Sequence, residues 1–403
     1  MPTVTETPTE VQTAKPLRWL FASTGISVTG DGMLLTAAPL MAATLSRDPL
    51  SVASVTAAGY AAWLFAGLPA GALVDRWNRR LVMVSADLVR AAVLAVFAGL
   101  TLFDLATIPV LVVAVFLVGV GSCFFDPAAQ ALVPQLVGRD KDRLGQVNGR
   151  FWAIDTFGRS LAGPPLGAAT FGASRALPFG VDALSFLASA ALVSRLPNSP
   201  SKPSTQPILP AIREGVAYLL RQTELRTVTF GMAFYNLGYN LAFATLILFA
   251  QDKLGISTFA YGVLVAAMSV GGIIGGWVGP RIGARLTPGH AYALTLSVQG
   301  LAWLAAVFSD HVWLVGLSLV CVGVASTTGS VVGGSTRQLH SPDELLGRVV
   351  AATRLLGIGS AAIGAVLGGL VADAAGLAAP FYVAACFLLA GAAAFLRLGR
   401  TRH

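Results

Sequence analysis

Apolar residues run along this chain in about a dozen long blocks, parted by short polar breaks. The blocks cover 17–45, 52–74, 81–103, 107–130, 148–172, 176–196, 224–250, 258–280, 289–309, 311–336, 347–373 and 376–398. Each is long enough to cross the hydrocarbon core of a bilayer, which takes ~20 residues of helix. Backbone amides in lipid have no water to bond, so each block is predicted to be a helix. The pattern predicts an all-α membrane protein of twelve spans.

The longest break, 197–223, starts with Pro197, Asn198, Ser199, Pro200, Ser201, Lys202 and Pro203. Ile212, Val216, Leu219 and Leu220 then mark one apolar face, which predicts an amphipathic helix lying on the membrane surface. The organisation expected is a disordered tail (1–16), a six-helix half (17–196), a cytoplasmic linker (197–223), a second six-helix half (224–398) and a tail (399–403). The halves echo each other. Gln135-Leu136 with Leu144-Gly145 and Val147 recurs as Gln338-Leu339 with Leu346-Gly347 and Val349. Two such halves around a midplane cavity form a recurring transporter plan.

Composition supports this picture. Hydrophobic residues make up 55% of the 403 and charged ones only 11%, against roughly 25% charged in soluble domains. The formal charge of +8 has a membrane explanation, so no nucleic-acid partner is expected. Arg76, Arg79, Arg80, Arg139, Lys141, Arg143, Arg195, Lys202, Arg213, Arg221, Arg281, Arg285, Arg337 and Arg348 all fall in loops on one side. The other side holds Arg47, Arg175 and Lys253. Positive loops face the cytoplasm, which predicts both termini inside the cell membrane. The histidines are scattered, the cysteines lack CxxC spacing and no phosphate-binding Gly-rich loop precedes a Lys. No enzyme, cofactor or metal is expected.

Charged residues inside the blocks are the candidate chemistry, because an ionised group at the bilayer centre costs roughly 2.5–3.5 kcal/mol. Asp31 lies near the middle of the first block with no charged neighbour three or four residues away. It is the first candidate proton carrier. Asp87 with Arg90 and Asp155 with Arg159 have the spacing of local helix pairs. The second half offers Tyr235, Asn236, Tyr239 and Asn240 on neighbouring helix faces. Such neutral polar and aromatic groups suit the wall of a substrate cavity.

Three motifs carry a resemblance. Gly67, Gly71, Asp75, Arg76, Arg79 and Arg80 match the loop signature of the major facilitator superfamily, with Asn78 where the pattern prefers Gly. Gly163, Pro164 and Gly167 in the fifth block are similar to the helix-bending element of its antiporters, with Ala168 for the last glycine and Arg159 upstream. Asp87-x-x-Arg90, Phe124-Phe125-x-Pro127-Ala128, Leu144-x-x-x-Asn148 and Asp182-Ala183-x-Ser185-Phe186 resemble the group of enterobactin and macrolide exporters. The resemblance implies proton-driven export of a bulky small molecule by a monomer, with the Asp75 loop as a gate. Many proton antiporters of the superfamily carry an Arg early in the fourth span; Thr107 to Gly121 has none. Arg90, Arg159 or Arg354 would have to serve. The other readings are an importer or facilitator of a nutrient, and a membrane receptor without transport.

Overall fold

The computed structural model describes the backbone of residues 10–74, 76–137, 141–198 and 208–400. All regular structure among them is helical. The helices are α1 (Glu10–Leu45), α2 (Pro49–Val74), α3 (Arg79–Leu102), α4 (Ile108–Val137), α5 (Lys141–Asp155), a π-helical segment (Thr156–Ala162), α6 (Gly163–Ala173), α7 (Leu177–Val193), α8 (Ile208–Arg221), α9 (Thr223–Phe243), α10 (Leu246–Leu254), α11 (Thr258–Arg285), α12 (Pro288–Phe308), α13 (Val312–His340), α14 (Asp343–Ala375) and α15 (Ala379–Arg400).

Among the described residues nine helices are each long and apolar enough to cross a membrane, rather than twelve. The other blocks are broken or short for local reasons. α9 and α10 meet at a bend of 42° and form a tenth candidate as a pair. The fifth block is interrupted by the π segment ahead of Pro164 and Pro165. α7 is 17 residues long, at the lower limit of ~17–25 for a span. Phe65, Trp152, Trp277, Phe308 and Trp313 stand exposed on the outside, as expected where the solvent is lipid rather than water.

The sequence echo has a counterpart in packing. α2 packs on α4 as α11 packs on α13, α3 on α7 as α12 on α15, and α1 on the π segment and α6 as α9 on α14. Glycine sets the approach in the first of these pairs. A Cβ on Gly119 would lie 2.7 Å from the Ala62 methyl, and one on Gly271 would strike the Val320 carbonyl. The two sets meet through α2 against α14 and α6 against α11.

α8 does not lie apart on the membrane surface. Its Gly215 sits directly on the Arg348 backbone, Glu214 pairs with Arg348, and the Tyr218 hydroxyl donates to the His340 carbonyl at 3.1 Å. Leu219 is buried with Leu225, Val349 and Ala352. Leu219 and Val216 of the apolar face read from sequence pack against the start of α14, while Leu220 stays exposed.

The two ends of the bundle differ. At the end carrying Arg47, α2 touches α14 closely: a Cβ on Gly369 would lie 2.7 Å from the Ala53 methyl and 3.0 Å from Leu50 Cα. There Gly262 of α11 also packs on Pro164 and Ala168, and Arg47 reaches Gln251 and Asp252 at 3.1 and 3.4 Å. At the end carrying Arg79 the same helix pairs diverge. A 240 Å³ cleft separates Gly67, Leu68 and Gly71 of α2 from Gly347, Val350 and Ala351 of α14. A second cleft of 650 Å³ lies between Trp152, Ala153 and Thr156 and α11 residues Gly272 and Ile273. The two helix sets touch at the Arg47 end, beside a 480 Å³ recess between Thr44, Arg47 and Gly172 and Gln251 and Thr258, and part at the Arg79 end.

The α11–α13 contact tests this packing. Gly271→Val places a side chain in the Val320 backbone and should destabilise the protein by about 1–3 kcal/mol, the usual cost of overpacking. Gly71→Val, in open space, should cost far less. Thermal unfolding of the two variants in one detergent gives the comparison; equal losses would contradict the packing described.

Candidate functional site

The site starts with two adjacent prolines. In an α-helix the Ser160 carbonyl would bond the amide of residue 164, and in a π-helix that of residue 165. Both are prolines and have no N–H. The Ser160 carbonyl therefore has no partner in its own helix. It accepts a hydrogen bond at 2.7 Å from the Ser269 hydroxyl of α11, across the seam between the two helix sets. The π turns upstream carry the backbone past the prolines, and the Gly163 amide bonds back to the Gly158 carbonyl.

Glycines then bring this segment against α1. A Cβ on Gly32 would strike the Arg159 carbonyl, and one on Gly163 would lie 2.5 Å from Gly32 Cα. Gly158 packs on Thr29 and Val28, and Gly167 on the Met33 backbone. The fifth-block motif is thus an α1 contact, built from Gly158, Gly163 and Gly167 on one side and Gly32 on the other. Its result is to set Arg159 opposite Asp31.

Arg159 is the hub of an ionic cluster. Its guanidinium lies 3.1 Å from Asp31, 3.2 Å from Asp155 and 3.8 Å from Asp126. Arg90 pairs with Asp87 and lies 3.7 Å from Asp31. It donates to the hydroxyls of Ser122 and Ser27 at 3.2 and 3.4 Å. Its guanidinium is held between the rings of Phe125 and Phe186, 4.7 and 4.1 Å away, and Gly121 leaves room for its stem. Asp182 sits against Gly30 and accepts from Ser185 at 2.9 Å. Four carboxyl groups thus meet two guanidiniums, with Asp182 nearby on Ser185.

Several sequence expectations change here. Asp31 has no local partner, but it is held across helices by Arg159 and by Arg90. Asp126 is not at the end of its helix; it faces Arg159. The local pairs Asp87–Arg90 and Asp155–Arg159 form, yet each arginine also serves Asp31. Arg354 stands apart, against the ring of Trp63 at 4.3 Å.

Exposure sorts the cluster. Arg90 and Asp87 are fully buried, Asp31 is 8% exposed and Arg159 31%. Asp31 and Arg159 are the members that line a cavity of 320 Å³, with Ser122, Thr56, Tyr60, Trp63 and Phe243 among its other walls. Thr56, Tyr60 and Trp63 were missed in the sequence. Their spacing of four and three along α2 puts them on one face, and that was the available signal.

The four candidates on α9 do not line this cavity. Tyr235 turns its hydroxyl to the Val322 carbonyl at 3.4 Å, and Tyr239 is stacked between Tyr235 and Phe243. Asn240 is buried and donates to the Asn236 carbonyl at 2.9 Å; Asn236 is half-buried. α9 contributes Phe243 to the cavity instead. Tyr235 and Tyr239 find partners inside their own helix set, whereas the Asn240 side chain meets Tyr60 of α2, a residue of the cavity wall.

The Asp75 loop is also revised. Asp75 lies outside the described residues. Gly71 has nothing within 4 Å of a Cβ position, so it is no close helix contact here, because α2 and α14 diverge at this end. Asn78 is extended (φ −64°, ψ 112°) rather than left-handed. It caps α3, accepting from the Arg80 and Leu81 amides, which explains a polar residue there without a tight turn. Arg79 donates to the Ala131 carbonyl at 3.2 Å, Arg80 reaches Asn198 at 3.3 Å, and Arg76 is exposed.

Arg159→Gln should leave Asp31, Asp126 and Asp155 facing one another and lower the melting temperature. Losing one partner of a fully buried pair costs about 3–5 kcal/mol; partial exposure of Arg159 should make this loss smaller. Adding Asp155→Asn removes one repelling charge and should restore part of the stability. A double variant no more stable than Arg159→Gln would mean that the cluster is not coupled as its distances imply.

The family of transmembrane secretion effectors, a branch of the major facilitator superfamily, matches residues 10–401. The chain is 28% identical to the multidrug efflux pump Tap of Mycolicibacterium fortuitum, over 87% of this chain and 88% of that protein. It is also 28% identical to the enterobactin exporter EntS of Escherichia coli O1:K1 / APEC, over 89% and 86% of the two chains. Among solved structures, a bacterial homolog of the human lysosomal transporter Spinster, inward-facing and occupied, superposes with a TM-score of 0.77 at 16% identity, covering 98% of each chain. The nucleoside transporter NupG gives 0.77 at 15% identity, over 95% and 99%. At that identity the likeness concerns the fold. The chain belongs to the transmembrane secretion effectors of the major facilitator superfamily, a family of multi-pass membrane transporters and not of enzymes.

Proposed function

We propose that this protein exports a small molecule from the cytoplasm across the cell membrane, in exchange for protons, by alternating access. The observation that carries the reading is the Asp31–Arg159 contact, which lies on the wall of a cavity between two helix sets joined at one end only. Full-length relatives named as a multidrug efflux pump and an enterobactin exporter support the direction and the substrate class.

In this reading the chain crosses the membrane twelve times as a monomer. α5 with α6 forms one crossing, α9 with α10 another, and α7 a short one. The halves are 17–196 and 224–398, with the linker and both termini in the cytoplasm. The excess of Arg and Lys at the Arg79 end supports that orientation. The Arg47 end, where the sets touch, then faces outward, and the conformation is open to the cytoplasm.

The chemistry follows from the excess of carboxyl groups over guanidiniums. A proton on Asp31 removes its attraction for Arg159, and Arg159 keeps Asp126 and Asp155 as partners. The α1 contact then loosens at the residue where the fifth block is least regular. Releasing the proton restores the pair. Asp87 and Arg90, fully buried, hold Asp31 from behind and set its resting position. Substrate enters the same cavity, against Tyr60, Trp63 and Phe243; Tyr235, Asn236, Tyr239 and Asn240 come into reach when the halves move. Gly71, Asp75, Arg76, Arg79 and Arg80 form the inner gate.

The test is uptake of dyes and antibiotics into everted vesicles, with internal pH followed at the same time. Asp31→Asn should abolish proton-coupled uptake while the protein level and melting temperature stay near wild type. Wild-type pH coupling in that variant would remove Asp31 from the mechanism. Uptake that needs no pH gradient, even in the wild-type protein, would remove proton antiport altogether.

A further inference from the structure

Arg90, Arg159 and Arg354 are carried within the long apolar helices, and Arg354, the exposed one of the three, is treated differently. Arg90 and Arg159 each meet carboxylates. Arg354 lies about 14 Å along α14 from Leu345, at 1.5 Å per residue. Among the described residues no carboxylate is within 4 Å of it. Its contact is the face of Trp63 on α2, 4.3 Å from guanidinium carbon to ring centroid. The side chain is exposed to the 240 Å³ cleft between α2 and α14.

The surroundings are apolar: Gly67 and Leu68 on one wall, Val350, Leu355 and Ile358 on the other. A guanidinium stacked on a ring uses its face and leaves its edge N–H groups free for a carboxylate, sulfonate or phosphate oxygen pair. Trp63 also lines the larger cavity next to Asp31 and Arg159, so the two spaces share one ring. Asp31 and Arg159 line the first space with it, and Arg354 stacks on it in the second.

We propose that Arg354 and Trp63 form a binding subsite for an anionic group carried on a planar apolar body, and that filling it favours closure of the Arg79 end. The proposal rests on the alternating-access reading. While the cleft is split, water solvates Arg354. Closing it withdraws that water, and an unpaired charge there opposes closure. An anion brought by the substrate supplies the missing partner. The same oxygen chemistry is offered by a soluble organic anion and by the headgroup of an anionic lipid.

The test uses purified full-length protein in phosphatidylcholine nanodiscs. Fluorescence anisotropy titrations follow fluorescein, a planar anion, and ethidium, a planar cation. Arg354→Gln should raise the Kd for fluorescein about tenfold or more and leave ethidium within about twofold. Arg354→Lys keeps the charge, loses the fork and should fall between; it also serves if Arg354→Gln folds poorly. Trp63→Leu should weaken both probes. Repeating the wild-type titration with phosphatidylglycerol added separates the sources. Unchanged fluorescein affinity assigns the subsite to soluble anions, and competition that vanishes in Arg354→Lys and Arg354→Gln assigns it to the lipid headgroup. Equal weakening of both probes by Arg354→Gln, or of neither, overturns the subsite. Wild-type protein that binds fluorescein but accumulates no compound in everted vesicles would strike the transport reading and leave the subsite standing.

Discussion

The bundle's chemistry depends on one close contact, α1 against the fifth block at Gly32, Gly158 and Gly163. Helices with ordinary side chains approach to ~8–10 Å between axes. Glycines allow the backbones themselves to touch, and in lipid such packing replaces the hydrophobic drive that holds soluble helices together. At this approach the Arg159 side chain has Asp31, Asp126 and Asp155 within 4 Å. One added methyl on Gly163 would lie 2.5 Å from Gly32 Cα and push the helices apart. The ionic cluster and the cavity wall would separate with them.

The same contact explains why the helix is irregular where it is. Two prolines in a row take away both possible partners of the Ser160 carbonyl. A regular helix would leave it bare in lipid, at a cost of ~1–3 kcal/mol. Here the carbonyl is bonded by Ser269, so a defect in one helix becomes a link between the two helix sets. A link made of one hydrogen bond is easily broken and remade. That suits a seam in contact at the Arg47 end and parted at the Arg79 end, and it lies beside the residue that holds Asp31.

Much of this was legible in the sequence, and the reasons for the remainder are physical. Apolar blocks gave the helices, because lipid forbids other backbone solutions. The i, i+3 pair Asp87–Arg90 and the i, i+4 pair Asp155–Arg159 followed from helix geometry. Cross-helix partners did not, since spacing along the chain says nothing of which helix stands opposite. Asp31 therefore looked solitary. Gly32 and Gly158 looked like two of 44 glycines and prove to bring α1 against the fifth block. Asn78 stands where the family pattern prefers Gly, and its side chain caps α3. The polar face of α9 was read as a cavity wall, but Tyr235 bonds within its own helix set and Asn240 reaches the cavity only through Tyr60 of α2. Polar residues in lipid need partners, and a neighbouring helix serves as well as a substrate.

Charge divides the two helix sets in a way that sequence hinted at and packing makes concrete. The first set holds four carboxyl groups in contact with two guanidiniums, and Asp182 nearby on Ser185. The second brings to the seam a cation, Arg354, whose partner is a ring. A cluster with surplus acid can change its proton count without losing all its ion pairs, because each guanidinium keeps another carboxylate. An isolated guanidinium cannot shed its charge in this way, since Arg stays protonated throughout the accessible pH range. On the proposed reading the two sets respond to different things, one to proton concentration and the other to anions. Both are read at Trp63, which borders the cavity of the first and stacks on the cation of the second. On the proposed reading, one ring that borders the cavity of the acid cluster and also stacks on the cation links the two without requiring them to touch.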